Sequence, residues 1–471
     1  MSRARIDPSV LVIAAGVSAA VHVGKLPPAL PALRDALDVT LVQAGFLISL
    51  VQLAGMALGL MVGLAADSVG LRRTMVAGLA VLTASSLLAA TATAPWMLLT
   101  LRGFEGLGFL LASMPAPGLV RRLVPPERLA PRLGLWGCYM PLGTALALLL
   151  GPVWVSAWGW ESWWCAAALL SGAMAAAVLA RVPPDGEGRA QARAAAGSAS
   201  GPVSPPAPAH APVSESGVRV EVGAAPAPAS ASASASASAS APEPQFSSPS
   251  GTMPARVSEA PWGKRLGQTL RAPGPWLIAA AFAVYSAQWL SVIGFLPSVY
   301  AQAGLAPSVA GVATALVAAV NMLGNLASGR LLQRGVAPQG PLQLAFGTMA
   351  IGGLLAFAPL GFLGTGLATG VAYAAVLCFS AVGGLIPGTL FSLAVRFAPD
   401  AGTVSTTVGW MHQWSALGQF AGPPVVAWVA TRSGGWGSSG LVTASCAVAG
   451  LLLAARIGRL DRRQRSGEAA A

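Results

Sequence analysis

The chain has 471 residues, of which 55% are hydrophobic and only 9% are charged. A soluble protein carries about 25% charged residues, so this composition excludes a chain whose whole surface faces water and indicates a membrane protein. The formal net charge is +12, but the basic residues fall in short loops and tails, which argues against nucleic acid as a partner. The four cysteines lie in apolar segments without metal or redox spacing, and we expect no metal and no cofactor.

Twelve segments are apolar and long enough to cross a membrane as helices, which requires about 20 residues each. These predicted spans lie near residues 9–32, 41–64, 74–92, 96–119, 134–155, 162–180, 275–300, 307–329, 342–362, 366–395, 403–430 and 438–456. The first segment resembles a secretory signal peptide. It continues into a Leu-Pro pattern that recurs later in the chain, so we interpret it as a retained span.

The basic residues are distributed unevenly between the two ends of the predicted spans. With the N-terminus placed in the cytoplasm, 24 of the 28 Lys and Arg lie on the cytoplasmic side, and two, Arg34 and Arg432, lie on the other. The remaining two, Lys25 and Arg102, fall within spans. Cytoplasmic loops are enriched in Lys and Arg, so we expect both termini in the cytoplasm. The excess of Arg over Lys and the richness in Ala and Gly are typical of GC-rich genomes, and we expect a multi-pass protein of a bacterial inner membrane.

Residues 181–274 differ in composition from the spans on either side. They are rich in Ala, Pro, Ser and Gly and include ASASASASASASA at 229–241, and such a segment buries too little apolar surface to offset its ordering entropy. We predict a six-helix bundle at 1–180, a disordered cytoplasmic linker at 181–274, a second bundle at 275–457 and a cytoplasmic tail at 458–471. The linker ends in the basic stretch PWGKRLGQTLRAPGPW, which we expect to lie on the inner membrane surface.

The two predicted bundles carry an internal repeat. A Leu-Pro pair and two glycines recur with a constant offset of 266 residues, as Leu30-Pro31, Gly45 and Gly63 and then as Leu296-Pro297, Gly311 and Gly329. RLVPPE and RFAPD close the fourth and tenth spans, and a late Gly-Pro recurs in spans five and eleven. Two six-span halves repeated in parallel, with a midplane site between them, form a transporter architecture. We therefore predict an all-α membrane protein with twelve transmembrane helices in two pseudo-symmetric six-helix bundles.

The loop between spans two and three, GLAADSVGLRR, resembles the Gly-x-x-x-Asp-x-x-Gly-x-Arg-Arg motif of the major facilitator superfamily. The matching positions are Gly63, Asp67, Gly70, Arg72 and Arg73. A small residue permits close helix packing, and an aspartate at a helix end can accept hydrogen bonds from a neighbouring helix N-terminus. The resemblance implies a conformational latch that holds the two bundles together on the cytoplasmic side and releases when they rock apart.

Span four contains RGFEGLG, which resembles a second motif of that family, Arg-x-x-Gln/Glu-Gly-x-Gly. Arg102 and Glu105 are three residues apart and share a helix face, and Glu105 is the only acid that we place within a span. Glu105 is therefore either a proton carrier or half of a structural ion pair. Within the superfamily, GKLPPALPAL and the GLW that opens span five are most similar to the cyanate/nitroimidazole-type permeases.

Polar and aromatic residues inside spans are costly and mark candidate contacts with substrate or a coupling proton. These candidates are His22, Lys25, Arg102, Glu105, Tyr285, Gln288, Trp289, Asn321, His412 and Gln413. Lys25 either lies in a cavity, where it would favour an anionic substrate, or extends to the headgroups. His412 is either a proton-sensitive cavity residue or a packing histidine. Tyr285 and Trp289 either contact the substrate or pack in the core.

We predict a secondary active transporter that moves a small solute, preferably a small organic anion, by rocking of the two bundles, with protons as a candidate coupling ion. The alternative within transport is efflux of drugs or other xenobiotics. A membrane sensor without transport would need a folded output domain, which residues 181–274 do not resemble. An enzyme would need a catalytic constellation, but the three histidines are scattered, so we expect no catalytic residues. The expected partners are a small-molecule substrate and the lipid bilayer.

Overall fold

A computed structural model describes residues 7–185, 262–357, 365–400 and 403–470, and all regular secondary structure in these ranges is helical. The first half contains α1 (Pro8–Gly24), α2 (Leu26–Leu37), α3 (Leu41–Ser49), α4 (Leu53–Val69), α5 (Leu71–Ala89), α6 (Pro95–Ser113), α7 (Ala116–Leu123), α8 (Pro126–Gly137) and α9 (Tyr139–Arg181). The second half contains α10 (Trp262–Arg271), α11 (Pro273–Gln302), α12 (Pro307–Gln333), α13 (Gln339–Phe357), α14 (Thr365–Gly383), α15 (Leu385–Phe397), α16 (Val404–Ser433) and α17 (Ser439–Ala470). Most of the predicted linker lies outside the described residues.

Ten helical stretches in the described part of the chain are long and apolar enough to cross a membrane. One of them, α9, has 43 residues and contains predicted spans five and six, separated at Gly159, whose backbone (φ 80°, ψ 165°) is not helical. The ten stretches thus contain eleven predicted spans. The remaining one, predicted span eleven, is α16, which has 30 residues and includes His412, Gln413 and Gln419. The predicted all-α membrane fold is confirmed.

Two interruptions in the first half place backbone carbonyls in the interior. Between α1 and α2 the helix is broken at Lys25, just before Pro27 and Pro28, where proline nitrogens cannot donate helical hydrogen bonds. Between α3 and α4 the residues Leu50–Gln52 form a 3₁₀ turn. A 3₁₀ turn inside a long helix departs from the i to i+4 hydrogen-bond pattern, so other groups are needed to satisfy carbonyls near both breaks.

The two halves pack closely at the ends of the helices that carry few arginines, which we call the arginine-poor end. A Cβ atom on Gly45 would lie 3.0 Å from the carbonyl oxygen of Pro423, and a Cβ atom on Gly311 would lie 2.5 Å from Pro152. Gly45 and Gly311 are equivalent in the sequence repeat, and Pro152 and Pro423 belong to its two Gly-Pro pairs. The repeat positions therefore contact each other reciprocally across the halves.

The opposite ends of the helices, which we call the arginine-rich end, carry a second reciprocal pair of contacts. Arg122 at the end of α7 lies 3.1 Å from Asp185, which follows α9. Arg396 at the end of α15 lies 2.8 Å from Asp461 in α17. Arg122 and Arg396 begin the two matching segments RLVPPE and RFAPD. Each half thus joins the end of its fourth span to the end of its sixth by an ion pair.

Candidate functional site

The first half contains a buried ionic cluster centred on Lys25, at the break between α1 and α2. The Lys25 Nζ atom lies 2.5 Å from Glu105 Oε1 and donates to Ser86 Oγ at 2.5 Å. It also lies 3.2 Å from His22 Nδ1. An ammonium group has three protons and no acceptor, so these three contacts satisfy it completely. Lys25 and Glu105 are both fully buried, and Lys25 does not extend to the headgroups.

Arg102 completes this cluster from the α6 side. Its Nη1 atom lies 2.6 Å from Glu105 Oε2 and donates to the carbonyl oxygen of His22 at 2.6 Å. Its Nε atom donates to the carbonyl oxygen of Leu47 at 2.9 Å. His22 lies three residues before the break at Lys25, and Leu47 lies three residues before the 3₁₀ turn. One guanidinium group therefore stabilises both interruptions. The Nη2 atom of Arg102 is buried and has no hydrogen-bond partner in the described part of the chain.

Groups from α9 surround the cluster. Because Lys25 donates to His22 Nδ1, a neutral His22 carries its proton on Nε2 and donates to Ser171 Oγ, 2.8 Å away. The Lys25 ammonium lies 4.7 Å from the ring centre of Trp164, a distance typical of cation–π contacts. The Trp163 indole donates to the Lys25 carbonyl oxygen at 3.0 Å. No feature of the sequence distinguished Ser171, Trp163 and Trp164 from the other residues of the predicted spans.

The cluster has an unbalanced charge. Lys25 and Arg102 each contribute one positive charge, and Glu105 contributes one negative charge, so the formal sum is +1 with a neutral His22. Burying a charge is costly unless it is paired and hydrogen-bonded. The excess positive charge, together with the unpartnered Nη2 atom, leaves an attractive environment for one further negative charge.

The second half brings together three of its predicted site residues. Asn321 donates from Nδ2 to Tyr285 Oη at 3.1 Å and to the Ser380 carbonyl oxygen at 2.9 Å. The Trp289 indole donates to Ser380 Oγ at 3.4 Å. Gln288, the repeat equivalent of His22, is 1% exposed, and its side-chain amide has no hydrogen-bond partner among the described residues. Among the described residues, no hydrogen bond or ion pair joins this group or Gln288 to the ionic cluster, so the sequence candidates form separate groups.

His412 and Gln413 lie on α16 and have different surroundings. The His412 ring packs 6.0 Å from Phe282 and 5.2 Å from Phe391, measured between ring centres. Gln413 donates to the carbonyl oxygen of Met56 at 2.8 Å. Gln413 therefore joins the two halves of the chain, whereas His412 lies among aromatic rings of the second half.

A hydrogen-bond chain that the sequence analysis missed crosses between the halves nearby. Gln52 donates to Gln419 Oε1 at 2.9 Å, and Gln419 donates to Ser415 Oγ at 3.3 Å. The Ser415 Oγ atom in turn lies 2.7 Å from Ser286 Oγ, at hydrogen-bond distance. Glutamines in predicted spans are the only signal that could have indicated these residues.

The predicted latch is described only in part. Gly70 immediately precedes α5 and has φ 113°, a conformation that favours glycine. The backbone N–H groups of Arg72 and Arg73 donate to Asp185 Oδ1 and Oδ2 at 3.0 and 3.1 Å, and the Arg72 guanidinium donates to the Leu179 carbonyl oxygen. The acid that caps this helix N-terminus is therefore Asp185, which the sequence analysis did not select.

The surroundings of Gly63 and the side chain of Asp67 lie outside the described part of the structure. The contacts of Arg72 and Arg73 given above are made within the first half of the chain. Their proposed role between the halves accordingly rests on the sequence motif.

An all-helical membrane protein with two repeated halves and buried ionisable residues has the architecture of a secondary transporter. The sequence profile of the Major Facilitator Superfamily matches residues 10–417, and the chain belongs to this family. It is a transporter of the secondary-transporter kind and not an enzyme.

Proteins similar to this chain include the following two. The crystal structure of a bacterial homologue of the human lysosomal transporter Spinster, in an inward-facing and occupied conformation, superposes with a TM-score of 0.64 and 13% sequence identity. The match covers 97% of this chain and 96% of that one, and it shows the shared fold. Multidrug resistance protein Stp of Mycobacterium tuberculosis (strain CDC 1551 / Oshkosh) is 33% identical over 98 residues. That match spans 21% of this chain and 18% of the relative.

Proposed function

We propose that this chain transports a small organic anion across a bacterial inner membrane by alternating access, with both termini in the cytoplasm. The observation that carries this proposal is the buried cluster of Lys25, Arg102 and Glu105, whose formal charge is +1. Two cations and one carboxylate inside the membrane leave a net positive charge, which attracts a negative charge. The cluster is closed to solvent in this conformation, so the anion would reach it in another state of the cycle.

The residues of the cluster would have different roles in transport. Lys25 and Arg102 would attract the anion, and Arg102 would offer its unpartnered Nη2 atom. Glu105 would exchange a proton as the bundles rock, because it is the only acid within a predicted span and contacts both cations. Binding of an anion and protonation of Glu105 would each change the net charge of the cluster. The anion and the proton would then each bind the two conformational states of the cycle with different affinities.

The first test measures uptake into proteoliposomes of radiolabelled acetate, lactate and cyanate, with ethidium as a cationic comparator. Saturable uptake of one anion is expected. Lys25→Met should reduce it about 10-fold or more, the contribution of a hydrogen bond to a charged group. The matched control, Arg459→Met, removes one exposed positive charge near the C-terminus and should transport normally. Equal uptake by Lys25→Met and the control would disprove the role of the cluster in anion transport.

Efflux of drugs is the second candidate function. The observation that favours it is the 98-residue similarity to a multidrug resistance protein. His412, Phe282 and Phe391 pack against one another, and their rings would attract an apolar cation in a state of the cycle that exposes them. Saturable ethidium transport that is unaffected by Lys25→Met, without transport of any anion, would favour this function over the first.

Three further assignments remain proposals that follow from the sequence. The bundles at 1–180 and 275–457 would move as units about the linker at 181–274. Asp67, with Arg72 and Arg73, would favour the state that is closed on the cytoplasmic side. Tyr285, Gln288, Trp289, Asn321 and Gln413 would contribute contacts from the second half.

A further inference from the structure

The helix that enters the second half, α10 (Trp262–Arg271), is strongly basic. Its ten residues include Lys264, Arg265 and Arg271 and contain no acidic residue. Lys264 and Arg271 are exposed. The helix precedes the first span of the second half, so its charges lie at the arginine-rich end of the protein.

This helix is held in place against the spans. Thr269 is fully buried, and the Trp276 indole in the first turn of α11 donates to the Leu270 carbonyl oxygen at 2.8 Å. The α10 helix also contacts α16. The basic face therefore has a defined position relative to the spans, and a ligand on it would find its charges already arranged.

Three tryptophans mark the depth of α10 in the membrane. Trp276 lies 4.9 Å from Trp410 and 5.5 Å from Trp414, and the last two lie 6.0 Å apart, all measured between ring centres. Trp276 is 39% exposed. Tryptophan is enriched at the level of the lipid headgroups, so this group of rings places α10 beside the phosphates of one leaflet.

We propose that α10 and the three tryptophans form a binding surface for anionic phospholipid headgroups. Lys264 and Arg271 would contact the phosphate and the further negative charge of such a lipid, and the indole rings would pack along its glycerol and upper acyl chains. Basic segments next to a span are attracted to anionic lipids, and no acid within α10 opposes this attraction. The lipid in the bilayer is the source of the phosphate, rather than free phosphate in solution.

The position of this surface connects lipid binding to the contact between halves. The α16 helix that α10 contacts also carries Gln413 and Gln419, which hydrogen-bond to Met56 and Gln52 of the first half. A lipid bound at α10 would stabilise the arginine-rich end of α16 and hence this contact. Anionic lipid should therefore raise the thermal stability of the whole protein.

The test titrates phosphatidylglycerol into phosphatidylcholine nanodiscs that contain the full-length protein and records the unfolding midpoint. A saturating rise is expected. The double variant Lys264→Gln/Arg271→Gln should need about 30-fold more phosphatidylglycerol for the same rise, the loss expected for two basic residues at an anionic surface. The control Arg330→Gln/Arg334→Gln removes the same charge at the same end and should respond as the native protein does.

A charge-keeping variant, Lys264→Arg/Arg271→Lys, separates loss of charge from damage to the helix and should keep the response. The proposal is overturned if the Gln double variant responds to phosphatidylglycerol like the native protein. It is also overturned if the Arg330→Gln/Arg334→Gln control loses as much of this response as the Lys264→Gln/Arg271→Gln variant does. It is also overturned if inorganic phosphate alone, added to phosphatidylcholine nanodiscs, gives the same rise.

Discussion

Gly45 in α3 lies directly against Pro423 in α16, and the absence of a side chain on Gly45 allows the two halves of the chain to meet there. The nearest atoms to a Cβ on Gly45 belong to the backbone of Pro423 and Pro424, at 2.9–3.0 Å. The equivalent contact of Gly311 with Pro152 and the Leu148 carbonyl oxygen has the same form. The closing of the arginine-poor end therefore depends on two glycines that the sequence repeat relates to each other.

Gly45→Ala should destabilise the described conformation by about 1–3 kcal/mol, the usual effect of overpacking, because backbone atoms cannot rotate away from the added methyl group. The unfolding midpoint of the purified protein measures this effect. Gly347→Ala is the matched control, since no atom of the described residues lies within 4 Å of its added Cβ, and it should stabilise by about 0.5–1 kcal/mol through helix propensity. Equal midpoints for the two variants would contradict the packing argument.

Glu105→Gln should destabilise the protein far more than Lys25→Met does. Without Glu105, two buried cations lose their counter-charge, a change that costs about 3–5 kcal/mol. Without Lys25, Arg102 and Glu105 remain as a balanced pair. Thermal unfolding of both single variants and of Lys25→Met/Glu105→Gln checks this, and the double variant should be more stable than Glu105→Gln alone. A double variant whose loss equals the sum of the two single losses would show that the charges do not interact.

Arg102→Lys should loosen the 3₁₀ turn at Leu50–Gln52. A lysine ammonium does not have the planar fork of guanidinium, so it cannot reach the Leu47 carbonyl, the His22 carbonyl and Glu105 together. Hydrogen exchange of the amides at 48–53 should become faster, while exchange in α13 stays unchanged. Arg330→Lys serves as the control for the same substitution at an exposed site. Unchanged exchange at 48–53 would remove Arg102 from the support of this turn.

Asp185→Ala should lower stability by about 0.5–2 kcal/mol, the range measured for loss of a helix N-cap. The two carboxylate oxygens accept from the N–H groups of Arg72 and Arg73, and the variant leaves both donors without these partners. The control Glu161→Ala removes an exposed acid and should have little effect. Chemical or thermal unfolding measures both, and a loss confined to Glu161→Ala would be inconsistent with capping by Asp185.

The architecture followed from the sequence because a bilayer restricts the possible structures so strongly. Every backbone polar group must be satisfied within the segment that crosses the hydrocarbon, so long apolar segments predict helices, and their loops carry the positional charge bias. The repeat equivalence of Gly45 and Gly311 was visible as a spacing. Arg102 and Glu105 were also predictable as neighbours, because three residues along a helix place them on one face.

Only the tertiary structure decided which residues meet across the chain. Ser86 is 61 residues from Lys25, Asp185 is 113 residues from Arg72, and Gln419 is 367 residues from Gln52. A serine in a span resembles every other small polar residue there, and an aspartate after the last helix of a bundle resembles any loop residue. Hydropathy and periodicity act along one segment at a time, so they determine the helices and their faces. The pairing of those faces depends on how all the helices pack together.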